Sequence, residues 1–192
     1  FYTADTYYDD KKLMDYKVTS TYGLTEEDIL SLKELKNVEK VIPTYSIDVL
    51  SNGKSIRLHA IEEDVNNVEI VSGVMPNNIN ECLADVNNYE LGETIVFDET
   101  SEYLNINGCK VVGTIKSPLY IFSSYGISNV GDGKLSSFIF VNKDAFNYEY
   151  YTESYIIAKG TTETNSYEES YNEVSNKLYE ELIELKPIRE SI

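Results

Sequence analysis

The chain has no tryptophan, one histidine, two cysteines and four prolines, and its 16 lysines and arginines face 33 aspartates and glutamates. Each shortage excludes something. A net charge of −17 leaves no clustered cations for phosphate contacts, so nucleic acid is excluded as a partner. The same charge is repelled by an anionic membrane surface. The single histidine, His59, has no CxxC or second histidine beside it, so no metal-ligand set is indicated. Adjacent acids such as Glu62-Glu63 and Asp98-Glu99 face opposite sides of an extended chain, whereas acid–base catalysis needs a shared cleft. No nucleophile stands with a nearby base, and no cofactor motif is present. No apolar run approaches the ~20 residues of a membrane span. The chain opens on Phe1 without a signal peptide, and reads as a piece excised from a longer protein.

What remains is ample for folding. The 192 residues are 42% hydrophobic, enough for one domain or two small joined ones with a genuine core. The 17 tyrosines suit binding surfaces and strand-rich cores, and equally fit a general composition bias. Cys82 and Cys109 both lie in strand-like stretches. Pairing outside the cell is open to them, but two buried free thiols are the favoured reading.

The best-specified stretch is Asp15–Leu50. Tyr16, Val18, Ser20 and Tyr22 alternate as in a half-buried strand, and Gly23 interrupts them. Thr25 followed by Glu26, Glu27 and Asp28 has the form of a capping box, with acids in the first turn where the helix dipole favours them. Leu24 and Ile29 fit a hydrophobic staple, and Ile29, Leu32 and Leu35 form the apolar stripe. Val41, Pro43, Tyr45, Ile47 and Val49 share one face of a second strand. Ser51-Asn52-Gly53-Lys54 predicts a hairpin into Ser55–Ile61, with His59 on the exposed side.

The block from about Glu62 to Lys134 reads as short strands and turns, including a hairpin of Tyr103–Ile106 and Cys109–Ile115 about Asn107-Gly108. Its last part, Ser117–Lys134, is a long loop without periodicity. Gly126, Gly131 and Gly133 do not have phosphate-loop spacing. Tyr120, Phe122 and Tyr125 in this loop are the candidate partner-contact residues; the competing reading is a loop packed over the sheet. Ser137–Val141 and Tyr151–Lys159 predict buried strands. Tyr167, Tyr171, Val174, Leu178, Leu182 and Leu185 recur at helical spacing, as a sheet-packing face, a coiled coil or a lead into a membrane helix. The expected class is α+β: a ferredoxin-like layer from the two end blocks, with a β-rich lobe inserted.

The order and spacing of several stretches resemble the extracytoplasmic domain of FtsX-like, MacB-like ABC transporter permeases. They are Thr3-Ala4-Asp5 with Tyr7-Tyr8, Gly23–Asp28 with Val38–Val41, Met75-Pro76, Glu81-Cys82, Leu91-Gly92-Glu93-Thr94, Val111-Val112-Gly113 and Ser117–Tyr120. The resemblance implies a non-catalytic domain on the extracellular face of the cell membrane. It implies a porter-like layer (residues 14–61 and 137–186), a sabre-like β-rich insert (62–136) and a lead-in (1–13) from a preceding membrane helix. It further implies a separate cytoplasmic ATPase subunit, an extracellular peptide, lipid or protein partner, and dimerisation only in the full-length transporter. The alternative is a secreted or surface-anchored binding or adhesive module.

Overall fold

The computed structural model describes residues 11–121 and 124–159. Most of the lead-in, Phe122 and the expected helix over Tyr167–Leu185 lie outside the described residues. The fold is α+β. It forms two compact units, one from Phe1–Pro43 with Tyr150–Ile192 and one from Thr44–Glu149.

The first unit holds β1 (Tyr16–Leu24), α1 (Glu26–Lys33), β2 (Val38–Thr44) and β10 (Tyr151–Ala158). The sheet order is β1-β10-β2, with β1 and β10 antiparallel. Thus the passage from β1 through α1 to β2 leaves a strand-wide gap, which β10 fills. The helix begins where its caps dictate. Asp28 N–H donates to Thr25 Oγ1 at 3.3 Å, and Thr25 N–H donates back to Asp28 Oδ2 at 2.7 Å. Both halves of the capping box satisfy amides that have no intrahelical partner. Leu24, Ile29 and Leu32 are buried with Val38, Val41, Ile156 and Ala158 in one apolar cluster. Asp28 is therefore a capping residue. The Tyr151 hydroxyl also donates to Glu26 at 2.7 Å.

The second unit is a seven-stranded mixed sheet: β3 (Ser46–Ser51), β4 (Lys54–Ala60), β5 (Glu69–Gly73), β6 (Glu81–Asp85), β7 (Thr94–Val96), β8 (Gly108–Lys116) and β9 (Leu135–Val141). Its order is β3-β4-β9-β6-β8-β5, and β7 extends the far edge by pairing with β8. The two edges are tied together. Asp98 N–H donates to Leu50 O at 2.8 Å, and Ser51 Oγ donates to Val96 O at 2.8 Å. The Asp98 carboxylate accepts the amides of Asn52 and Gly53 at 2.8 and 2.7 Å. The rolled sheet encloses a core that includes Ile56, Leu58, Ala84, Val111, Ile139 and Val141.

Four differences from the sequence reading have clear causes. β3, β4 and β9, placed there with the end blocks, belong to the middle unit, because β4 pairs with β9 in parallel and β9 pairs with β6. The unit limits therefore fall at Pro43/Thr44 and Glu149/Tyr150, not at 61/62 and 136/137. The strand read through Val41–Val49 is interrupted at Tyr45, where the chain passes from β2 of the three-stranded sheet to β3 of the seven-stranded one. Finally, β8 follows Asn107 but pairs with β7, not with Tyr103–Ile106; Leu104 forms a bridge with Phe146 instead.

The cysteines also depart from the favoured reading. Cys82 on β6 and Cys109 on β8 form a disulfide, with a Cα–Cα distance of 5.8 Å. The parallel pairing sets Cys82 opposite Val111, two residues from Cys109 on the same face. Both cysteines are buried in the enclosed core. Closing a loop of sequence separation 27 removes unfolded-state entropy worth about 3 kcal/mol. Replacing both cysteines by alanine is therefore expected to lower unfolding free energy by about 3 kcal/mol, read as a fall in urea midpoint. Dithiothreitol should shift the parent chain once it is unfolded and leave the double variant unchanged.

Candidate functional site

Period-two alternation gives the seven-stranded sheet a second face. Phe138 and Phe140 on β9 and Leu83 on β6 point away from the enclosed core and are themselves buried in a second cluster with Ile115. The cover comes from residues 117–121 and 124–134. Its start is set by Ser117, whose side chain accepts from Leu119 N–H and begins a 3₁₀ turn over Pro118–Tyr120.

Tyr120 lies flat on Phe138, with ring centroids 4.1 Å apart and an interplanar angle of 4°. Its hydroxyl meets His59 Nε2 at 2.5 Å. His59 is stacked on Phe140 at 4.9 Å and is only 5% exposed. The histidine does lie on the side of β4 opposite Leu58, but that side is covered by the loop, not by water. The exposed strand histidine of the sequence reading is thus corrected.

Tyr125 is the second post. Its hydroxyl donates to Asp85 Oδ2 at 2.5 Å. Asp85 ends β6, is 2% exposed and is saturated with donors. Asn88 Nδ2 reaches it at 2.5 Å and Asn87 N–H at 3.0 Å. Asn88 Nδ2 also meets the Tyr125 hydroxyl at 2.9 Å and Ser137 Oγ at 3.1 Å. A buried carboxylate is tolerable when its lone pairs are met in this way. Burial raises the Tyr125 pKa above the ordinary 10.0, and its hydrogen bond to Asp85 and the Asp85 charge add to the shift. Tyr89 is raised chiefly by burial, then by the charges of Glu93 and Asp85.

The third post is ionic. Arg57 on β4 pairs with Asp48 on β3 through two bonds of 2.6 and 2.9 Å, and donates to Ile127 O at 3.0 Å. Ser128 Oγ donates to Asp48 Oδ2 at 2.8 Å, and Ser55 Oγ donates to Val130 O at 2.7 Å. Between these posts Ile127 is left 81% exposed and Ile121 44% exposed.

Of the sequence-derived contact residues, Tyr120 and Tyr125 are brought together over Phe138, and Phe122 lies outside the described residues. Tyr120 and Tyr125 hold the loop down. The residues that sequence reading missed are Asp85, Arg57 and Asp48. The Asp48–Arg57 pair was countable, because the register from Ser51↔Lys54 places Asp48 opposite Arg57. Asp98 and Glu62, considered above as members of acid pairs, are engaged elsewhere: Asp98 holds a hairpin, and Glu62 meets Lys143 Nζ at 2.7 Å. Among the described residues no three His, Cys, Asp or Glu side chains are grouped to hold a metal. The arrangement positions a loop over the sheet.

Neither a protein-family model nor a curated protein sequence matches the chain. Among solved structures it is similar to the extracellular domain of the noncanonic ABC-type transporter YknZ from Gram-positive bacteria. That similarity has a TM-score of 0.44 and 13% identity over 74% of this chain and 76% of that one. It is also similar to the periplasmic region of MacB from Actinobacillus actinomycetemcomitans. There the TM-score is 0.42 and identity 15%, over 88% of this chain and 75% of that one. Both are regions that lie outside the cytoplasm.

Tyr125 has an alkaline signature. Its folded pKa is raised, so its contribution to stability is complete below the unfolded value near 10.0 and is lost as pH rises through the folded value. Tyr125→Phe should cost about 1–2 kcal/mol at neutral pH, since Asp85 loses a donor. It should also flatten the fall in stability above pH ~10, as read by urea unfolding across pH. An unchanged slope would separate Tyr125 from that titration.

Proposed function

We propose that this chain is a non-catalytic extracellular domain of an ABC transporter permease. In this reading it couples ATP hydrolysis by a separate cytoplasmic subunit to handling of a peptide, lipid or lipoprotein, or to regulation of an extracellular partner. The observation that carries it is the chain's path. The two ends of the sequence supply one α+β unit, and Thr44–Glu149 is a β-rich unit inserted within it, the plan implied by the family whose spaced stretches the sequence resembles. In such a plan β1 and β10 are adjacent antiparallel strands, so a displacement delivered at either end of the sequence reaches the same small sheet. The buried Cys82–Cys109 disulfide supports an oxidising location, since such bonds persist mainly outside the cytoplasm. Partner contact through the 117–134 loop is part of the reading, with Tyr120 and Tyr125 fixing the loop on the sheet and Ile127 as its exposed apolar side chain. Dimerisation would rest with the membrane part of the full-length protein.

The test is the coding sequence on either side, followed by the topology of its product. The expected result is a hydrophobic segment of ~20 residues on each side, with a cysteine placed at exposed Asn129 labelled from outside intact cells. A signal peptide upstream with no span downstream would instead assign a secreted binding or adhesive module. Absence of a membrane span on both sides sinks the transporter reading.

A further inference from the structure

The edge of the seven-stranded sheet at β5 leaves apolar side chains in solvent, among them Ile70 at 39%. Val71, Val74, Met75 and Leu91 are 48%, 60%, 44% and 48% exposed. The backbone gathers them along one rim. Gly73 has a φ of +84°, and a Cβ there would meet Val112 O and the Leu91 side chain; Leu91 thus lies across the glycine. Val74 N–H donates to Val112 O at 3.0 Å, and Gly92 N–H donates to Val111 O at 2.8 Å. The Val74-Met75 turn and the Leu91 segment are therefore fixed to consecutive residues of β8. The pairing of β5 with β8 shifts between Ile70 and Ser72, which makes Val71 the extra residue of a bulge. Bulges re-aim side chains and interrupt edge-to-edge pairing, so contact here would run through side chains more than through an added strand.

The charge around the rim selects a partner. Glu69 precedes Val71, and Glu90 and Glu93 flank Leu91; all three are exposed. Lys116 sits opposite Glu69, but among the described residues no ion pair engages Glu90 or Glu93. An anionic lipid surface is repelled by this rim, and a second copy of a chain with net charge −17 meets its own sign. We propose that Val71, Val74, Met75 and Leu91 form a docking surface for a polypeptide segment with apolar side chains flanked by lysine or arginine. Exposed apolar side chains gathered in one patch supply the affinity, and the glutamates set register and orientation. This surface stands apart from the transporter reading and is tested apart from it.

The probe is a short fluorescein-labelled peptide with leucines flanked by lysines, titrated against the full chain at physiological salt. Val74→Ser with Leu91→Ser, and separately Glu90→Lys with Glu93→Lys, should each weaken binding about ten-fold or more. Glu39→Lys with Glu99→Lys makes the same charge change elsewhere and should leave binding within about two-fold. Retained thermal midpoints certify that the variants are folded. No binding overturns the proposal outright, and equal weakening by the control pair overturns it by assigning the signal to general charge attraction. A concentration-dependent dimer in sedimentation that Val74→Ser with Leu91→Ser abolishes overturns it in favour of a second copy.

Discussion

The middle unit depends on the fact that β9 is apolar on both faces. Ile139 and Val141 enter the enclosed core, while Phe138 and Phe140 face the other way. With β4 on one side and β6 on the other, its backbone is satisfied, but half of its side chains are not. Two phenylalanines left in water would each forgo about 1.5–3 kcal/mol of burial. The cover cannot come from the enclosed core, which lies on the opposite face. A long aperiodic segment with tyrosines therefore has a physical task before it has any biological one. Tyrosine fits that task because its ring lies on phenylalanine while its hydroxyl takes up a buried polar neighbour. Here those neighbours are His59 and Asp85.

The polar posts in turn constrain the sheet. Asp85 accepts from residues on three segments, the turn after β6, the cover loop and β9. Arg57 joins β4, β3 and the loop. Removing either group would leave several donors or acceptors unmet, so their cost is set by the orphaned partners as much as by the bonds themselves. Such networks give the loop one arrangement, from which Ile127 is held outward.

Local signals were legible in the sequence where they act through neighbours along the chain. Thr25 and Asp28 needed no tertiary information, and Asn52-Gly53 specified its hairpin, with φ of 50° and 71°. What was not legible depended on partners distant in sequence. Nothing near Tyr45 says that the chain changes sheets there, because the alternation of apolar residues continues through it. His59 was correctly assigned to the side of β4 away from Leu58, but the strand alone cannot say whether that side meets water or Tyr120. The disulfide required the parallel pairing of β6 with β8, and no cysteine spacing encodes that. Asn107-Gly108 has the composition of a hairpin turn, yet the strand that β8 joins lies further upstream.

The position of β10 also fixes an order of events during synthesis. β1, α1 and β2 emerge before the middle unit, but the strand that belongs between them follows roughly 100 residues later, on the order of 10 s at common rates of translation. Throughout that interval β1 and β2 each carry an open edge, and Val38, Val41 and Leu24 lack Ile156 and Ala158 beside them. The middle unit, with all its strands contiguous in Thr44–Glu149, completes its own pairing first. β1 and β2 are thus made before the middle unit and completed after it.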